Sequence, residues 1–224
     1  MNYWKLLTPT LVVESVRDLD PTVLKARGIT AIITDLDNTL VPWRHYEIAP
    51  GVVEWLAKLE VAGIQICIAS NTMHVERLKQ LAATMNIPFV DRVRKPWTGG
   101  FIRSMRLMGS EPSTTAVFGD QIFTDVLAGN RLGLQTILVR PPLSREEFIS
   151  TQMVRYIENY VIRQLEAQGQ WPIARKVAEV IDALPHPESA EGRRLTVSLI
   201  LVPTAAAVIL GLVVRGLWRR FAAK

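Results

Sequence analysis

The motif Asp-Leu-Asp-Asn-Thr-Leu at residues 35–40 constrains this chain most, because it follows directly on an apolar run that predicts a buried strand. In an open α/β sheet, the carboxyl ends of parallel strands form the crevice in which ligands bind. Asp35 and Asp37 point the same way along an extended chain, so their like charges predict a partner, most simply a divalent cation. The alternative is an Asx-type turn that only ends a strand.

Further predicted strands also end in polar side chains. The strand at residues 64–69 runs into Ser70 and Asn71, and the strand at 115–118 runs into Asp120 and, shortly after it, Asp125. Lys95 follows a short predicted strand at residues 87–90, and a last strand is predicted at residues 134–139. Helical periodicity fills the intervals, at residues 51–62, 73–85, 101–108 and 122–130. Strands that alternate with helices predict an α/β fold with a parallel sheet and right-handed crossovers.

The segment before the first strand is predicted to contain two short helices, at residues 9–19 and 21–27. Asp20 is the expected N-cap of the second helix, Pro21 occupies its first position and Gly28 ends it. Together with these helices, residues 1–142 form the predicted catalytic domain.

The charge distribution separates membrane surfaces from nucleic acids as partners. The chain has a net charge of +5, and all of it comes from the six basic residues and the one acidic residue that follow position 190. Residues 1–190 are electrically balanced, which argues against a nucleic-acid-binding face and for contact of the basic tail with a membrane surface. Cys67 is the only cysteine and the three histidines lack ligand spacing, so neither an internal disulfide nor a zinc site is expected.

The sequence of the C-terminal third predicts amphipathic helices and a membrane segment. Residues 143–190 carry two amphipathic stripes, at residues 148–161 and 173–181, which either pack on the domain or lie on a bilayer. Residues 195–214 contain no charge, and at about 1.5 Å per residue they are long enough to cross a hydrocarbon core of roughly 30 Å. Pro203 could make this segment re-entrant, and a buried core helix is the other alternative.

The order and type of these strand-end residues resemble the haloacid dehalogenase superfamily of phosphatases. The closer resemblance is to its capless YqeG-type branch, which includes the phosphatidylglycerophosphate phosphatases of mitochondria and plastids. It is carried by Gly28-Ile29, by residues 35–40 with Trp43, by Ala69-Ser70-Asn71-Thr72, by Lys95-Pro96 and by residues 119–125, and it covers about residues 1–165. The fold it implies is a Rossmann-like, three-layer parallel sheet without a cap domain, because the intervals between motifs are too short to hold one.

The resemblance also implies roles for individual residues. Asp35 is the expected nucleophile, Asp37 the general acid and base, and Ser70 and Lys95 the groups that bind and neutralise the phosphoryl oxygens. Thr39 and Asn71 are expected to contact the substrate. A Mg²⁺ cofactor is expected on Asp35, the backbone carbonyl of Asp37, Asp120 and Asp125.

The function that these expectations favour is hydrolysis of phosphatidylglycerophosphate, an anionic phospholipid, at a membrane. A tethered phosphatase for a phosphoprotein or a nucleotide is one alternative, and a membrane scaffold without turnover is another. Residues 1–12 lack the pattern of a signal peptide, which favours a cytoplasmic catalytic domain held by one C-terminal membrane segment. The basic residues after residue 214 favour the opposite orientation of that segment.

Overall fold

A parallel sheet forms the centre of the protein in a computed structural model that describes residues 3–140, 142 and 149–172. Within these residues, six parallel strands follow the order β1-β6-β5-β2-β3-β4. The strands are β1 (Leu11–Val13), β2 (Ala31–Thr34), β3 (Gln65–Ala69), β4 (Phe89–Val90), β5 (Thr115–Gly119) and β6 (Gln135–Val139). The predicted parallel α/β sheet is confirmed, with the strand that precedes Asp35 at its centre.

Helices cover both faces of the sheet, which makes three layers. They are α1 (Tyr3–Leu7), α2 (Pro21–Ala26), α3 (Val52–Val61), α4 (Val75–Met85), α5 (Gly99–Met108), α6 (Leu127–Leu132) and α7 (Ile149–Ala167). On one face, Trp55 of α3 and Leu78 of α4 join a core with Ile32 of β2. On the other face, Phe101 of α5 joins a core with Ile33, the next residue of β2. Successive residues of β2 are therefore buried on opposite faces, as expected for a central parallel strand.

The predicted helix at residues 9–19 is wrong. Its residues instead form the edge strand β1, followed by one 3₁₀ turn, Val16–Asp18, that Ser15 caps. Thr10 donates its backbone N–H to the carbonyl of Thr136 at 2.8 Å, so the pairing with β6 begins just before the strand. Long-range pairing with an existing sheet edge overrides local preference here, and Val12 and Val13 are β-branched. The second predicted helix is confirmed as α2, where Asp20 accepts a hydrogen bond from the backbone N–H of Thr22 at 2.8 Å.

Helix α7 contains the first amphipathic stripe of the C-terminal third and packs on the domain, although Tyr156 and Tyr160 of that stripe are exposed. Val161 and Leu165 of α7 are buried, and Ile162 packs against an apolar cluster that includes Ile122 and Leu138. The stripe at residues 173–181 and the candidate membrane helix at residues 195–214 lie outside the described residues. Among those that are described, no helix is long and apolar enough to span a bilayer.

Two adjacent glycines at the start of α5 give a test of packing. A Cβ at Gly100 would overlap the side chain of Val93 and lie 2.9 Å from its Cα, whereas a Cβ at Gly99 would meet nothing within 4 Å. We expect Gly100→Ala to lower the free energy of unfolding by about 1–3 kcal/mol, because backbone must move to admit the methyl group. Gly99→Ala is the matched control and should leave stability unchanged or raise it by up to about 1 kcal/mol. Urea denaturation measures both, and equal stabilities would contradict the packing described.

Candidate functional site

The chain turns back sharply after β2, and this turn presents two carboxylates. The backbone N–H of Leu40 donates to the carbonyl of Leu36 at 3.0 Å, and that of Asn38 donates to the carbonyl of Val41 at 2.7 Å. Asn38 has a φ of 61°, a left-handed conformation that asparagine tolerates better than most residues. Leu36 is fully buried, while Asp35 and Asp37 on either side of it both line a cavity at the carboxyl edge of the sheet.

This cavity has a volume of about 230 Å³. Six of the residues predicted from the sequence line it: Asp35, Asp37, Ser70, Asn71, Lys95 and Asp120. Asp125 does not line the cavity but contacts Lys95, which does. Thr39 is buried, and its hydroxyl oxygen has no hydrogen-bond partner among the described residues. The structure therefore brings the predicted strand-end residues together but does not place Thr39 among the residues that line the cavity.

Lys95 connects two of the carboxylates. Its ammonium nitrogen lies 2.7 Å from Oδ1 of Asp35 and 2.7 Å from Oδ1 of Asp125. Burial alone would lower the pKa of Lys95, but the negative charges of Asp125 and Asp35 outweigh burial and raise that pKa above its ordinary value. Lys95 therefore carries a positive charge in the interior of the site.

Asn71 fixes the backbone that carries Lys95. Its side-chain amide donates to the carbonyl of Lys95 at 3.2 Å, and its side-chain oxygen accepts the backbone N–H of Lys95 at 2.8 Å. The peptide bond between Lys95 and Pro96 is cis. Although Asn71 lines the cavity, the contacts of its amide are with the protein, which indicates that it positions Lys95.

Ser70 lies at the end of β3, as predicted. Its side chain is buried, and its hydroxyl oxygen accepts a hydrogen bond from the backbone N–H of Thr72 at 3.2 Å. Because the oxygen serves as the acceptor in this contact, the hydroxyl proton is available to an oxygen in the cavity.

Three carboxylates lie close enough to hold one metal ion. Asp35, Asp120 and Asp125 each offer an oxygen atom, and these atoms lie within 4.8 Å of one another. Oδ1 of Asp120 is buried and has no hydrogen-bond partner among the described residues. A cluster made only of carboxylate oxygens fits a hard cation such as Mg²⁺.

The carboxylates are protonated more readily than they would be in water. Burial, only partly offset by Lys95, raises the pKa of Asp35 to about 6. Burial also raises the pKa of Asp120, against the opposing effect of the Arg155 guanidinium. Each of these groups would become more acidic beside a bound cation.

The loop after β5 depends on a glycine. A Cβ at Gly119 would overlap the carboxylate of Asp125, so the close approach of the two residues requires glycine. Oδ2 of Asp125 accepts hydrogen bonds from the backbone N–H of Gln121 at 3.3 Å and from the hydroxyl of Thr124 at 3.1 Å. These contacts hold Asp125 with its other oxygen against Lys95.

Three charged residues at the site were not predicted from the sequence. Arg77 of α4 lies 2.9 Å from Oδ1 of Asp37 and also donates to the carbonyl of His45 at 2.6 Å. Arg155 of α7 forms an ion pair with Asp120, and Glu158, one turn further along, binds Arg155 at 3.1 Å. Arg155 and Glu158 share the helical spacing of the buried Val161 and Leu165, and that pattern was the available signal.

Comparison with known proteins agrees with this geometry. Residues 1–144 match the family described as mitochondrial PGP phosphatase. The chain is 38% identical to the probable phosphatase YqeG of Bacillus subtilis over 169 residues, which are 75% of this chain and 97% of that protein.

One algal enzyme and one plant enzyme share a lower sequence identity with the chain. The chain is 28% identical to the chloroplastic phosphatidylglycerophosphate phosphatase 1 of Chlamydomonas reinhardtii, over 77% of this chain and 67% of that protein. It is also 28% identical to the chloroplastic/mitochondrial phosphatidylglycerophosphate phosphatase 1 of Arabidopsis thaliana, over 75% of this chain and 51% of that protein. The resemblance to YqeG-type phosphatases drawn from the motifs is confirmed: the chain belongs to the mitochondrial PGP phosphatase family, and it is a YqeG-type phosphatase, a phosphoric monoester hydrolase.

Proposed function

We propose that this phosphatase hydrolyses phosphatidylglycerophosphate to phosphatidylglycerol and inorganic phosphate, through an aspartyl-phosphate on Asp35 and with Mg²⁺ as cofactor. The observation that carries the chemical part is the contact of the Lys95 ammonium with Asp35, in a cavity that Asp120 also lines. A carboxylate nucleophile beside a buried positive charge and a set of metal-binding oxygens is suited to phosphoryl transfer, which depends on positioning and on charge neutralisation.

The reaction has two steps. A carboxylate oxygen of Asp35 attacks phosphorus in line, the bond to the glycerol oxygen breaks, and Asp37 gives that oxygen a proton. Asp37 then takes a proton from water, whose oxygen attacks phosphorus and releases inorganic phosphate and the Asp35 carboxylate. Lys95 neutralises charge on the phosphoryl oxygens, and the hydroxyl of Ser70 donates a hydrogen bond to one of them.

The cation is assigned to side-chain oxygens of Asp35, Asp120 and Asp125 and to the backbone carbonyl of Asp37. When bound, Mg²⁺ would supply charge neutralisation and orient the phosphoryl group towards Asp35. Oδ1 of Asp120 supports this assignment: it has no hydrogen-bond partner in the part of the chain that the structure describes, and a buried carboxylate oxygen without a partner is costly unless it binds a ligand.

The substrate assignment rests on the named relatives and on the absence of a cap domain between β2 and β4, in the described part of the chain. In the described part of the chain, α3 is the only helix between β2 and β3, and α4 is the only helix between β3 and β4. Neither interval contains a cap domain, so the cavity is open to a large substrate. Met73 and Trp97, in the loops that leave β3 and β4, are 92% and 55% exposed, which suits contact with a lipid surface.

Replacement of the nucleophile tests the chemistry. We expect Asp35→Asn to lower phosphate release by at least about 10³-fold, because the amide oxygen is a poor nucleophile for phosphorus. Asp91→Asn is the matched control, since Asp91 follows β4 but does not line the cavity. Phosphate release is measured for both variants and for the wild type with Mg²⁺, and an active Asp35→Asn enzyme would contradict the mechanism.

A substrate panel tests the lipid. The wild-type protein is supplied with phosphatidylglycerophosphate in phosphatidylcholine vesicles, a phosphopeptide, a nucleoside monophosphate and a soluble glycerol phosphate. We expect the highest kcat/KM for the lipid. Preferential hydrolysis of the phosphopeptide or the nucleotide would replace the lipid assignment by one of its alternatives, while leaving the roles of Asp35 and Lys95 intact.

Thermal unfolding tests the metal site. The metal-free fold binds an extra proton at Asp35 between about pH 4, near the unfolded value, and its folded pKa of about 6. This group therefore makes the metal-free protein less stable as pH rises through that window, and Mg²⁺ should offset the loss. At 100 times its Kd, Mg²⁺ should stabilise the protein by about 2.7 kcal/mol at pH 7.5, or roughly 5–10 °C in Tm, and by much less at pH 5.

Asp120→Asn is the variant for this measurement, and it should reduce the Mg²⁺-dependent shift in Tm at pH 7.5. Equal shifts at the two pH values, or an unchanged shift in the variant, would contradict the proposed ligands.

A further inference from the structure

The helix α7 reaches the candidate metal site through one arginine. The guanidinium of Arg155 donates to Oδ2 of Asp120 and also to the backbone carbonyl of the same residue. Both side chains are buried, with relative exposures of 11% for Arg155 and 1% for Asp120. A guanidinium that binds both the side chain and the backbone carbonyl of one residue fixes the position of that residue and the rotation of its side chain.

Glu158 connects Arg155 to the beginning of the helical turn that follows Asp120 in the chain. One of its oxygens lies 3.1 Å from Nη1 of Arg155. The other accepts the backbone N–H of Ile122 at 2.6 Å and that of Phe123 at 3.3 Å. These two N–H groups belong to the first residues of the π-helical turn Ile122–Val126, which lack partners within that turn. Arg155 and Glu158 therefore bind the loop at Asp120 and again two residues later.

The two oxygens of Asp120 are in different surroundings. Oδ2 is bound by Arg155, whereas Oδ1 is buried without a hydrogen-bond partner among the described residues. An oxygen that is held by a positively charged guanidinium is a poorer ligand for a cation than the other oxygen of the same carboxylate, which keeps its lone pairs available. The contact with Arg155 thus selects which oxygen the site offers.

We propose that Arg155 and Glu158 are positioning residues for the metal site, which orient Asp120 so that Oδ1 binds Mg²⁺. The inference rests on the proposed metal-dependent function. It makes α7 part of the catalytic unit, although α7 lies beyond the residues 1–144 that match the family. The rival interpretation is that the ion pair only attaches α7 to the domain.

Metal affinity separates these two roles. Full-length Arg155→Met, Arg155→Lys and Glu158→Gln are compared with the wild type by isothermal titration with Mg²⁺ and by the Mg²⁺ dependence of phosphate release. We expect Arg155→Met to weaken Mg²⁺ binding by about 10–100-fold, the usual effect of losing a residue that orients a metal ligand. Arg155→Lys, which keeps the charge but loses the two-point contact, should show a smaller loss, and so should Glu158→Gln.

Arg163→Met is the matched control, because Arg163 lies on the same helix and is exposed. It should leave Mg²⁺ affinity unchanged. If Arg155→Met does not fold, Arg155→Lys and Glu158→Gln decide the question, since lysine keeps the positive charge and glutamine keeps the size and shape of the side chain.

The outcomes distinguish a failure of the positioning role from a failure of the proposed function. Wild-type Mg²⁺ affinity in folded Arg155 and Glu158 variants, with only Tm lowered, would overturn the positioning role and leave the proposed function standing. A wild-type protein that neither binds Mg²⁺ nor requires it for hydrolysis would overturn the proposed function, and the inference with it.

Discussion

Repulsion among buried carboxylates is the constraint on which the site depends. Asp35, Asp120 and Asp125 offer oxygens within 4.8 Å of one another, and transferring such charges from water costs several kcal/mol each unless they are paired. Lys95, in the loop after β4, and Arg155, in α7, supply two positive charges. The pKa values of Asp35 and Asp120 stay raised nevertheless, because the effect of burial outweighs the opposing effects of Lys95 and Arg155. A divalent cation bound to these carboxylates would add to those opposing effects.

The framework around Lys95 shows how much structure one charge requires. Two residues near it, Arg92 and Arg94, have positive φ values of 48° and 56°, a conformation that costs free energy for residues other than glycine. Asn71 holds the backbone of Lys95 by two hydrogen bonds. The bare Cα of Gly100 lets α5 approach this segment at Val93. Asn71, the segment around Arg92 and Arg94, and helix α5 thus together fix the position of the Lys95 ammonium group.

The sequence was sufficient for features with a local signal. Apolar runs that end in aspartate located β2 and β5, and the sheet then brought Asp35, Lys95 and Asp120 to one cavity. The strand β1 was missed because its three residues are extended only through pairing with β6. Arg155 was missed for a related reason: it lies 35 positions from Asp120, and a charged residue on an amphipathic helix is ordinarily solvated. Contacts decided by tertiary packing leave little trace in local periodicity.

Because Arg155 lies in α7, it is synthesised after all the strands of the described sheet. Domains begin to fold as the chain leaves the ribosome, with N-terminal segments first. Every strand of the described sheet precedes α7 in the chain, so the sheet can form while Asp120 still lacks its guanidinium partner. The sheet can thus form before the electrostatic environment of Asp120 is complete, and the ion pair with Arg155 forms only when α7 docks.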